Sequence, residues 1–94
     1  MELNHTDICG LLMDIKLELE KQLMKKTDRE INMQEIFKLT DLIPNRILTT
    51  KGLPSGAVTT LNTLSDSLYA NATTHASLQF HLDSVNEVIA ILCP

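Results

Sequence analysis

The stretch LNTLSDSLYANATTHASLQFHLDSVNEVIAIL, Leu61 to Leu92, decides the fold. Leu61, Leu64, Leu68, Asn71, His75, Leu78, Leu82, Val85, Ile89 and Leu92 follow one another at alternating spacings of 3 and 4. That is a heptad a/d register, in which every named residue shares one helix face. The knobs are apolar except at Asn71 and His75. One continuous helix through this register would hold about 36 residues and run about 54 Å, and only an extended dimer could cover it. The alternative breaks the helix at Asn71-Ala72-Thr73-Thr74, where helix propensity is weak and a Thr can cap a new start. We favour the break, because weak helix formers coincide with both polar register positions. It gives a C-terminal helical hairpin of about 56–70 and 74–92.

Charge supports burial of this region. Residues 1–50 carry nine acids and seven bases, whereas residues 51–94 carry only Asp66, Asp83, Glu87 and Lys51. The e and g flanks of the register, from Ser65 and Ser67 through Gln79 and His81 to Asn86 and Val88, hold no Lys, Arg, Asp or Glu. A free coiled coil uses charges there to set its pairing. Val85 to Cys93 is apolar almost all round, a pattern that calls for cover on every side. The sequence therefore predicts a dimer, with Leu78, Leu82, Val85, Val88, Ile89 and Leu92 at the interface.

Outward from that stretch the helical reading continues. Ile8, Leu11, Leu12, Ile15, Leu19 and Leu23 recur at helical spacing, widened by Met13, Leu17 and Met24, which predicts a helix over about 5–26. Asn4 or Thr6 can cap it, with Asp7 in the first turn and Lys25 and Lys26 in the last. Asn32 followed by Glu35 reads as a capping box, and Ile31 with Ile36 as a hydrophobic staple, for a helix over about 33–43 that Pro44 ends. Pro44, Gly52, Pro54 and Gly56 are turn signals. Ile47, Leu48 and Leu53 predict one short packed helical turn before a loop across Lys51 to Ser55. The whole is an all-α single domain, a small bundle of about four helices.

Composition limits function. The chain has 94 residues, a formal charge of −4 and three aromatic residues, Phe37, Tyr69 and Phe80, so its core is aliphatic. Nucleic-acid binding leaves a basic stripe. Here Lys21, Lys25 and Lys26 alternate with Glu18 and Glu20, which reads as a solvated helix face. A helix-turn-helix around Met33 to Val58 would offer only Asn45 and Arg46 to base edges. No apolar run reaches membrane-spanning length, and the first ten residues carry acids where a secretory signal carries bases. The N-x-[ST] triplets at Asn4 and Asn71 are then chance matches, and Cys9 and Cys93 are expected as reduced thiols in a cytoplasmic chain.

No constellation reads as a catalytic centre. His5 and Cys9 stand at i, i+4, but two ligands do not make a metal site. Asp83 and Glu87 share a face without a cleft. His75 and His81 lie about 240° apart round a helix and do not converge, although His75 inside a dimer seam would make assembly pH-sensitive. With no phosphate loop or nucleophile motif, the sequence predicts no catalytic residues, cofactor, metal or small-molecule substrate. The favoured reading is a non-enzymatic interaction module, a regulator or adaptor that binds stoichiometrically as a homodimer. The alternatives are an acidic chaperone or immunity-type protein masking a basic client, and a DNA-binding regulator.

Overall fold

The computed structural model describes residues 7–70 and 73–93. Among them are five α-helices and no strand: α1 (Ile8–Leu23), α2 (Gln34–Thr40), α3 (Ile43–Thr49), α4 (Ala57–Ala70) and α5 (His75–Leu92). A 3-10 turn spans Asp28–Glu30. The all-α class read from periodicity is what is found. The longest dimension is 40 Å, shorter than the continuous C-terminal helix would need. α4 stops at Ala70, and α5 starts at His75 behind Thr74, whose hydroxyl accepts from the Ser77 N–H at 3.1 Å. Asn71 lies outside the described residues.

The core grows from α1. Ile8, Leu11, Leu12, Ile15 and Leu19 are all buried, at roughly 1.5–3 kcal/mol per large aliphatic side chain. α5 makes the most extensive contact with this face, and α2 and α3 cover more of it. The two ends of α5 fix its direction. Cys93 meets Cys9 at the start of α1, and His75 meets the segment just beyond the end of α1. α1 and α5 therefore run antiparallel.

Several local expectations need correction. Cys9 and Cys93 are not reduced thiols but a disulfide, their Cα atoms 5.9 Å apart. Antiparallel packing of the first and last helices brings them together. Asn4 and Thr6 lie outside the described residues, and Asp7 caps α1 by accepting from the Gly10 N–H at 2.9 Å. The Ile8 N–H donates to the Thr50 hydroxyl at 2.8 Å, so the end of α3 completes this cap. α1 stops at Leu23, short of Lys25 and Lys26.

The expected helix over 33–43 is two short helices, and Pro44 sits in the first turn of the second. That position tolerates Pro because its missing N–H has no intrahelical acceptor there. The capping box lies at Thr27 and Glu30 rather than Asn32 and Glu35. The Asn32 N–H instead donates to Gln22 Oε1 at 2.9 Å, while its own Oδ1 accepts from Gln34 N–H at 2.9 Å. Gln22 is buried and its amide donates to Glu18 at 2.8 Å, which satisfies a polar side chain inside the core.

Candidate functional site

Helical periodicity puts Met13 and Leu17 of α1, and the cap residue Met24 that follows it, within about 40° of one another. They lie off the core-facing stripe, and they are exposed by 42%, 57% and 85%. Beside Met13 and Leu17 runs a groove of about 410 Å³ between α1 and α5. Ile89 supplies the facing wall, the Cys9–Cys93 bridge closes one end, and Asp14 is its one charged lining residue among the described residues. Gly10 lines it too.

The predicted interface set divides. Leu78, Leu82, Val85 and Val88 are buried within the single chain. They are core residues rather than a surface, because α1 covers the face that seemed to require a second protomer. Ile89 and Leu92 are half-buried, and Ile89 alone of the six lines the α1–α5 groove. The exposed strip along α1 and its C-cap was written in the sequence as Met13, Leu17 and Met24. The sequence reading merged it with the core face, since apolar residues on two sides of a helix look like one wide face.

The histidines have separate environments. His75 is the first residue of α5, not a buried seam residue. Its backbone N–H donates to Asp28 Oδ1 at 2.9 Å. Its ring lies between Asp28 Oδ1, 2.5 Å from Nδ1, and the Lys25 carbonyl, 2.6 Å from Nε2. Neutral imidazole can donate from one nitrogen only, whereas imidazolium donates from both. The Asp28 hydrogen bond, then that of the Lys25 carbonyl, raises the His75 pKa above its ordinary value, and the same contact lowers that of Asp28.

His81, expected on the flank of the register, is 1% exposed, and its Nδ1 has no partner among the described residues. Burial lowers its pKa and keeps it neutral. Tyr69 stacks on Phe37 with ring centroids 4.9 Å apart. Its hydroxyl donates to Asp41, with the Phe37 carbonyl 3.3 Å away, and the Asp41 bond pushes its pKa up to about 12. These contacts tie α2 to α4.

Cys9, one half of the candidate His5–Cys9 pair, is held in the disulfide and offers no thiolate to a metal; His5 lies outside the described residues. Among the described residues no three His, Cys, Asp or Glu side chains converge as a metal cage, and no helix is long and apolar enough to cross a membrane. Asp83 accepts from the Gln79 amide at 3.1 Å. No protein-family model, curated protein or solved structure matches this chain.

Proposed function

We propose that this chain is a small protein–protein interaction module, a regulator or adaptor that binds stoichiometrically through the α1–α5 groove and the α1 strip beside it. The observation that carries the reading is Met13 and Leu17 exposed along an apolar groove, which the other exposed aliphatic side chains, Leu42, Leu48, Val58 and Ile91, do not line. A contiguous exposed apolar surface on a small domain marks a contact site.

The first occupant of that surface is a second copy of the chain. A ridge directly beside a groove is self-complementary under a two-fold axis: the ridge of each copy enters the groove of the other. The homodimer therefore uses Met13, Leu17 and Ile89, and the paired C-terminal helices α4 and α5 stay inside each protomer as a hairpin. The Cys9–Cys93 bond supports an oxidising working location in place of the cytoplasm expected from the sequence, because such bonds persist where thiols are not kept reduced.

Light scattering on the sized protein tests the reading. The wild-type chain is expected at twice its 10.5 kDa mass. Leu17→Asp is expected at the single-chain mass with unchanged helical circular dichroism, since Leu17 is not part of the core. A wild-type monomer at tens of micromolar, or a Leu17→Asp dimer, overturns the proposed assembly.

A further inference from the structure

A second concavity, of about 340 Å³, lies between α4 and α5 on a different face from the α1–α5 groove. Its floor is apolar, from Leu64 and Val88, both buried. Its walls are hydroxyl-rich. The Thr60 and Ser84 hydroxyls turn back to the Gly56 and Phe80 carbonyls, at 3.0 Å each. Thr59 and Thr63, one helical turn apart, have no hydrogen-bond partner among the described residues and face outward.

Two further lining residues give the groove its chemistry. Phe80 is 59% exposed, with its ring centroid 5.9 Å from that of His81 in a T-shaped contact. The other two aromatic residues are stacked on each other, so Phe80 is the aromatic left to face a ligand. Glu87 stands two turns further along α5, about 10.5 Å from Phe80 at the helical rise, and no cation pairs with it among the described residues. Beyond Lys51 the chain contains no Lys or Arg, and Asp66 and Asp83 add charge of the same sign. Nothing within α4 or α5 neutralises this face.

We propose that the α4–α5 groove binds an extended segment of a partner protein that carries two basic side chains three residues apart. In the extended polyproline II conformation three residues make one turn at about 3.1 Å each, so side chains at i and i+3 share a face about 9.3 Å apart and match Phe80 and Glu87. One guanidinium stacks on the Phe80 ring. The other makes a charge-assisted hydrogen bond to the Glu87 carboxylate, and the unpartnered Thr59 and Thr63 hydroxyls meet the backbone between them. Phosphate groups are repelled by the same carboxylates, so nucleic acid is not the ligand. The chain's own exposed basic run, Lys25, Lys26 and Arg29, is interleaved with Asp28 and Glu30 and is a poorer match. The site is independent of the α1–α5 reading.

Amide chemical-shift titration of the full chain tests it, with a short capped peptide containing Arg-Ala-Ala-Arg and a control containing Gln-Ala-Ala-Gln. The arginine peptide is expected to shift amides within 59–67 and 80–88 in a saturable manner, and the glutamine peptide to leave them in place. Glu87→Gln is expected to weaken binding about fourfold, and Phe80→Ala about threefold. Both side chains are at the surface, so the variants keep the fold. Salt near 1 M, where the screening length falls to about 3 Å, is expected to abolish the response. Leu17→Asp is expected to leave it intact, which separates this site from the dimer surface. Equal shifts with the glutamine peptide, an unchanged response in both variants, or perturbations confined to 24–30 overturn the proposal. So does a simple polyamine that shifts the same amides with equal affinity, because the site would then be reading charge alone.

Discussion

Reduction of the Cys9–Cys93 bond tests the architecture most directly. The bond joins residues separated by 84 positions, so it ties nearly the whole chain into a loop. Loop closure on that scale removes about 15 cal/mol/K from the unfolded chain, or about 4.6 kcal/mol at 25 °C. A domain of this length has a total stability of roughly 5–14 kcal/mol, so the bond supplies a large share. With an unfolding entropy of about 2.1 cal/mol/K per residue, the loss lowers Tm by about 23 °C. Both cysteines are half-buried, within reach of a small thiol reductant. Scanning calorimetry of the oxidised chain, the reduced chain and the Cys9→Ser/Cys93→Ser double variant is the assay. The last two are expected to agree and to melt about 23 °C below the first. A shift under about 5 °C would refute the loop-closure reasoning. Intact-mass measurement on protein made in an oxidising compartment gives a separate check, since two free thiols there would refute the pairing itself.

The two histidines of α5 predict opposing pH responses. His75 has a raised folded pKa, so its contribution is full below the ordinary value of 6.5 and is lost as pH rises through the folded value. Asp28, lowered from 3.8, holds its contribution down to that pH and loses it below. Their contact is thus at full strength between these two values. His81 has a lowered folded pKa, so stability is lost as pH falls from 6.5 through its folded value. In urea unfolding at about pH 5.5 and 8, His75→Gln is expected to lose midpoint on acidification relative to wild type, and His81→Leu to gain it; parallel shifts in both variants would contradict the assignment. Tyr69→Phe keeps the stack on Phe37 but removes the hydroxyl bond to Asp41, at a cost of about 1 kcal/mol, and phenol titration should show the wild-type group ionising near its raised value of about 12.

What the sequence disclosed follows the length over which a signal repeats. The α1 stripe repeats through four turns, and five of the six residues read as its centre are buried, while Leu23 is half-buried and Met13, Leu17 and Met24, read as widening it, are exposed. The start of α5 was legible in Thr74, a good cap after weak helix formers. Where one residue type serves two local roles, the reading went astray. Pro44 fits a helix end and a helix start equally, and α2 and α3, at seven residues each, are too short for periodicity to decide. Thr27 with Glu30 and Asn32 with Glu35 both fit a capping box, and a distant partner, the Gln22 amide, draws Asn32 away from its box. Four of the six residues read as an interface are buried within the chain for a related reason. An a/d seam states that a face will be covered but not by which helix, and here α1 covers it.

The same antiparallel pairing accounts for two features that the sequence left unconnected, the cysteines at the chain ends and the histidine in the apolar register. Each pins one end of α5 to the α1 side: a covalent bond at Cys93, and the Asp28 carboxylate with the Lys25 carbonyl at His75. The two ties respond to different chemistry, one to thiol reductants and the other to pH. The α1–α5 groove is bounded by the disulfide and lies away from the His75 contact. Reduction therefore acts on the proposed binding surface itself, whereas titration of His75 acts at the other end of α5, about 21 Å from Ile89 at the helical rise. The proposed dimer should for this reason be sensitive to redox state under conditions where it is indifferent to the His75 charge. That order of sensitivities reverses the one implied by a histidine buried in a dimer seam.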